Sequence, residues 1–115
     1  EITIFQLLGH QANNAEFSFK YFDWDGIGRM LMGATAAADY SAGFHNYTLE
    51  WTPTSLRFFV DGVPRGSYTG ESVLRDPAFL MLSLAVGGNE PGSPDGSTPF
   101  PQSLTVDYIR IWQRP

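Results

Sequence analysis

The 115-residue sequence has no cysteine, which excludes a disulfide framework and any thiolate metal site. Basic residues are scarce. Seven Lys and Arg stand against twelve Asp and Glu, for a formal net charge of −5, and the seven are scattered rather than gathered into a stripe. That distribution excludes a nucleic-acid surface and an anionic-membrane surface. No apolar run approaches the ~20 residues that a membrane span needs. The two histidines, His10 and His45, are far apart and lack the spacing of zinc ligands. What the chain does have is 43% hydrophobic and 15% aromatic content, enough to build a core and to exclude wholesale disorder. The length allows one domain at most. The chain starts at Glu1 rather than Met and carries no leader, which reads as a processed or excised piece.

Its periodicity is that of strands. Glu16 to Trp24 alternates, with Phe17, Phe19 and Tyr21 on one face and Glu16, Ser18, Lys20 and Phe22 on the other. Asp23-Trp24-Asp25-Gly26-Ile27-Gly28 then has turn chemistry. Arg29 to Ala38 is read as a strand and loop, since Gly33 interrupts its alanine-rich helix propensity and no apolar stripe at helical spacing appears. Phe44 to Trp51 forms a further strand. Leu56, Phe58 and Val60 alternate with Arg57, Phe59 and Asp61, and Asp61-Gly62 is the dipeptide favoured by a two-residue type I′ hairpin. Glu71 to Asp76 is long enough for one helical turn before Pro77. Phe79 to Val86 is a continuous apolar run broken only by Ser83, read as a buried central strand. Residues 88–101 hold three glycines and four prolines and form a long loop, and Leu104 to Gln113 is the last strand. Trp51 and Trp112 are expected in the core. The pattern is all-β, an antiparallel sandwich.

The first six residues, Glu1-Ile2-Thr3-Ile4-Phe5-Gln6, thread polar groups through a short apolar strand. In a regular strand Glu1, Thr3 and Phe5 share one face and Gln6 takes the other. One extra residue near Ile4-Phe5, a β-bulge, brings Gln6 round to join Glu1 and Thr3. Such a trio on the floor of a cleft is the usual setting for glycosidase chemistry.

The hexapeptide resembles the E-[ILV]-D-x-x-E motif of glycoside hydrolase family 16, the laminarinase and β-glucanase family. Further blocks follow in the family's order over almost the whole chain. Phe44-His45-Asn46-Tyr47-Thr48-Leu49-Glu50-Trp51-Thr52-Pro53 resembles FHxYxxEWTP, and Arg57-Phe58-Phe59-Val60-Asp61-Gly62 resembles RxYVDG. Leu82-Ser83-Leu84-Ala85-Val86-Gly87-Gly88-Asn89 resembles LNLAVGGN, Phe100-Pro101-Gln102 resembles FPQ, and residues 106–113 resemble VDYVRVYQ. The resemblance implies a jelly-roll sandwich of the concanavalin A-like lectin and glucanase type, of which the chain matches only the C-terminal half.

It also implies roles. Glu1 falls on the nucleophile, Thr3 on the orienting Asp, and Gln6 on the general acid/base. Lys20 replaces a cleft His, and Glu90 replaces a sugar-stacking Trp. An amide has no usable acid form, and Thr3 supplies no carboxylate. The expected activity is therefore an impaired endo-β-1,3(4)-glucanase, or a catalytically silent β-glucan-binding domain in the same cleft. A third alternative is a half-sandwich that self-associates to cover an apolar face. Tyr21, Trp24 and Asn89 complete the expected substrate contacts. Asp107 occupies the position that binds a structural calcium in many family members, although no cofactor is required and most ligands of that site lie outside the matched half. Partners are then a β-glucan and either a second copy or the complementary half, with no nucleic acid and no membrane. The family's members act outside the cell.

Overall fold

The computed structural model describes residues 1–36 and 38–113. The expected strand and loop over 29–38 therefore includes one residue, Ala37, that lies outside the described set. The chain divides into two compact units, Glu1–Ala78 and a second from Phe79 onward.

Among the described residues, the first unit holds six strands and one short 3₁₀ turn, Gly9–Gln11. The strands are β1 (Ile2–Leu7), β2 (Ala15–Phe22), β3 (Gly28–Thr35), β4 (Tyr47–Thr52), β5 (Ser55–Val60) and β6 (Val63–Thr69). They form two antiparallel sheets, β1-β2-β3 and β4-β5-β6. Period-two alternation decides what lies between them. On β2, Ala15, Phe17 and Phe19 are buried; on β5, Leu56, Phe58 and Val60 are. Phe17, Phe19, Leu56 and Phe58 join Val73 in one cluster, with the Phe17 and Phe58 rings stacked at 4.6 Å. Burying each of these large side chains is worth about 1.5–3 kcal/mol.

Two glycines make room for Phe17. A Cβ on Gly33 (β3) or on Gly66 (β6) would run into the Phe17 ring, so the ring fills a slot bounded by one strand from each sheet. Here glycine serves close packing rather than a turn.

The β5–β6 hairpin turns on Asp61 and Gly62, both at positive φ (51° and 76°), as the Asp-Gly pair predicts for a type I′ turn. The Asp61 carboxylate accepts from His45 Nδ1 (2.8 Å) and from the Asn46 backbone N–H (2.9 Å). The His45 hydrogen bond, then the Asn46 amide, holds the Asp61 carboxyl below the ordinary carboxylate range.

A second cluster, Ala15, Tyr40 and Val60 with Leu7 and Tyr47, lies toward the end of β1. The Phe5 ring stacks on Tyr47 at 3.9 Å. Burial, with Tyr40 and Asp61 nearby, pushes the Tyr47 phenol from 10.0 up to about 12. A raised folded-state pKa gives stability that is full below the unfolded value and is lost as pH rises through the folded one. The thermal midpoint is therefore expected to begin falling above about pH 10, and Tyr47→Phe to make the decline shallower. A pH series of melting curves on both proteins checks this; identical slopes would contradict it.

In the second unit no strand is assigned among the described residues. The expected strands at Phe79–Val86 and Leu104–Gln113 are absent, and their side chains are exposed: Phe79 at 87%, Ile111 at 82%, Trp112 at 77%. A strand exists only through its ladder, and neither segment pairs with a neighbouring strand among the described residues. The tryptophans expected in the core are likewise exposed, Trp51 at 40%. Trp51 is held at the rim of the first unit, where its indole N–H donates to the Leu74 carbonyl at 2.8 Å. Residues 71–76 form turns rather than a helix; Pro77 follows too soon for i→i−4 bonds to accumulate.

Candidate active site

The outer face of the β1-β2-β3 sheet gathers the polar residues of the first strand. Thr3 pairs with Ser18 and Gln6 with Glu16, so three steps on β1 are matched by two on β2. The extra residue is a bulge at Ile4-Phe5, where the sequence pattern allows it. Its effect is to keep Phe5 inside, against Tyr47, while Gln6 turns outward to share a face with Thr3. Glu1 extends the ladder by one pair: its carbonyl accepts from Lys20 N at 2.8 Å and its nitrogen donates to Lys20 O at 3.0 Å.

Cross-strand partners share a face, so the outer face reads in rows. Glu1, Lys20 and Met30 form one; Thr3, Ser18 and Met32 the next; Gln6, Glu16 and Ala34 the third. The Lys20 ammonium lies 3.8 Å from a Glu1 carboxylate oxygen, with both side chains more than half exposed. Such a pair contributes little to stability but sets the charge beside Glu1. Glu16 is half-buried, and Asn14 Nδ2 donates to its Oε1 at 3.1 Å.

The expected sugar-contacting residues divide. Lys20 joins Glu1, Thr3 and Gln6. Tyr21 falls on the opposite face, its ring 4.9 Å from Phe19 and 5.2 Å from Tyr68. The aromatic on the Lys20 face is instead Phe22, 77% exposed and paired with Gly28. Trp24 stands at the tip of the β2–β3 hairpin, 94% exposed. That hairpin is braced, since Arg29 bridges Asp23 (3.4 Å) and Asp25 (3.2 Å) and the Trp24 amide donates to Asp23 Oδ1. Asn89 and Glu90 belong to the second unit, in a turn closed by a Gly88–Gly92 bridge. Asp107 is exposed in that unit, and among the described residues no group of three His, Cys, Asp or Glu side chains gathers to hold a metal. A separate open depression of about 250 Å³, lined by Trp51, Thr52, Pro53, Leu74 and Arg75, contains none of Glu1, Thr3 and Gln6.

Sequence reasoning assigned no role to Glu16, Phe22, Met30 or Met32. Glu16 and Phe22 were legible in the alternation of β2; the two methionines needed the β2–β3 register. Chemically, the face offers one carboxylate at Glu1, a second at Glu16, and a neutral amide at Gln6 on β1 in the same row as Glu16.

Residues 1–110 match the family described as glycosyl hydrolases family 16. The chain belongs to that family. Among its relatives, a beta-glucanase of Rhodothermus marinus is 30% identical over 76% of this chain and 35% of its own length. The clotting factor G alpha subunit of Tachypleus tridentatus is 33% identical over 61% of this chain but 11% of its own. The crystal structure of LamAcat from Zobellia galactanivorans superposes with a TM-score of 0.57 at 23% identity, covering 63% of this chain and 30% of that one, and so agrees on the fold. The chain thus spans from about a tenth to about a third of the length of these proteins. The chain is thus a family 16 glucanase-like domain whose first strand carries a bulge between Thr3 and Gln6.

Proposed function

We propose that the outer face of the β1-β2-β3 sheet binds a β-glucan and that hydrolysis there is impaired at the proton-transfer step. The observation that supports this reading is the bulge: it brings Gln6 to the outer face with Thr3, in the row order that also holds Glu1, and on the motif reading Gln6 is then an amide in the acid/base role. Glu1 retains a carboxylate for attack on the anomeric carbon. Gln6 has no proton to give the departing oxygen, and general acid/base catalysis is typically worth 10²–10⁴-fold. The similarity to a beta-glucanase of Rhodothermus marinus supports the substrate class. A polymeric glucan implies action outside the cell.

The test separates binding from turnover. Laminari-oligosaccharide is expected to bind by calorimetry while releasing reducing ends at least about 10²-fold more slowly than an intact family 16 glucanase. A 2,4-dinitrophenyl glycoside of the same sugar, whose leaving group needs no proton, is expected to be cleaved. Failure to bind and to cleave the activated substrate would remove the reading; rapid release of reducing ends would remove the impairment. A second reading, self-association, is favoured by the exposed apolar segments of the second unit, Phe79, Met81, Ile111 and Trp112. Light scattering with and without the oligosaccharide separates the two, since a dimer indifferent to sugar supports association.

A further inference from the structure

We infer that Glu16, a residue outside the family motif, is the proton donor for the hydrolysis that this chain retains; the inference rests on the reading of the outer face as a glucan site. Three observations converge on it. First, the register after the bulge pairs Glu16 directly with Gln6, so the two side chains leave the sheet on one face with Cβ atoms about 4.5–5.5 Å apart. Secondly, Glu16 stands in the same row as Gln6, four residues along β2 from Lys20, the partner of Glu1. Its offset from Glu1 along the sheet therefore equals that of Gln6, and the carboxyl is displaced by only one strand spacing, about 4.8 Å, which a glutamate side chain can span. Thirdly, Glu16 is half-buried and oriented: Asn14 Nδ2 occupies Oε1 at 3.1 Å. That hydrogen bond holds the Glu16 carboxyl in the row it shares with Gln6. Other charged groups are poor rivals. The ammonium of Lys20 lies against Glu1, and Asp23 and Asp25 are turned to Arg29 at the hairpin tip.

The step balances without any further reagent. The Glu16 carboxyl gives its proton to the glycosidic oxygen as that oxygen leaves with the electron pair of the C–O bond, and a Glu1 oxygen bonds to the anomeric carbon. Water then displaces Glu1 from that carbon, its proton passes to the Glu16 carboxylate, and the Glu1 carboxylate is regenerated. Gln6, in the same row, can hydrogen-bond the leaving oxygen or Glu16 but transfers no proton.

The experiment is Glu16→Gln in the full chain, assayed on laminari-oligosaccharide and on the 2,4-dinitrophenyl glycoside. The variant is expected to lose about 10²–10⁴-fold in kcat/KM on the oligosaccharide, and no more than about threefold on the activated substrate, whose first step needs no acid. Azide is expected to accelerate the variant, with glycosyl azide as product, because the carboxylate that repels an anion is gone; the unsubstituted chain is expected not to respond. Unchanged oligosaccharide affinity by calorimetry shows that the variant is folded. Equal losses on both substrates, or no loss on either, overturn the assignment of Glu16. Absence of oligosaccharide binding and of dinitrophenyl glycoside cleavage in the unsubstituted chain overturns the glucan-site reading itself, and the inference with it.

Discussion

Replacing Gln6 by glutamate, together with Thr3→Asp, is expected to raise hydrolysis of unactivated β-glucan by about 10²-fold or more. The bulge already aims residue 6 outward on the face of Glu1 and Thr3, so the new carboxyl needs no change of backbone. Its pKa is favoured by its neighbour. A glutamate at position 6 stands opposite Glu16, and two carboxyls that close resist joint ionisation, which raises the apparent pKa of the proton kept by the pair. A raised carboxyl pKa is what a general acid near neutral pH requires. The restored enzyme should therefore remain active to higher pH than the same double variant carrying Glu16→Gln as well. The fold-gain from position 6 should in turn be larger in the Glu16→Gln background, where no other donor stands in the row. Rates on laminari-oligosaccharide across a pH series measure both. A double variant no faster than the starting chain would mean that the geometry of this strand, and not the amide at residue 6, limits the reaction.

Truncation of Phe17 to alanine is expected to destabilise the protein by about 3–5 kcal/mol. The ring stacks on Phe58 and occupies a slot between Gly33 and Gly66, so it bonds the two sheets by packing alone. Neither glycine has a side chain that could fall into the vacated space, and Phe58 on the far side is itself fixed in the cluster with Leu56 and Val73. Collapse is thus poor and the cavity term large. Against a net stability on the order of 5–15 kcal/mol for a domain, this is a loss of a third or more. Urea unfolding of the two proteins checks it through the shift in midpoint at constant slope. A loss below about 1 kcal/mol would show that the sheets slide together to close the gap.

The strands of the first unit were legible because each has one buried and one exposed face. The alternation of Phe17 and Phe19 against Glu16, Ser18 and Lys20 determined both β2 and its inward side. Asp61-Gly62 determined its hairpin, because few other dipeptides accept positive φ at both turn positions. The apolar runs at 79–86 and 104–113 misled for a related reason. Continuous hydrophobicity implies burial on two faces, but burial requires neighbours, and within its own unit neither run has a ladder partner among the described residues.

The site was legible only in part. The six residues at the start pointed to the chemistry in question through the carboxylate of Glu1, the hydroxyl of Thr3 and the amide of Gln6. Whether those three share a face depended on one extra residue at Ile4-Phe5, and a bulge is chosen by what packs beneath it, here Phe5 on Tyr47 of the other sheet. The same register decided that Phe22 and not Tyr21 shares the outer face with Lys20, and that Glu16 is the residue across from Gln6. Local pattern fixes which side chains alternate. Only the pairing of strands, set by the packing of one sheet on another, fixes which of them meet.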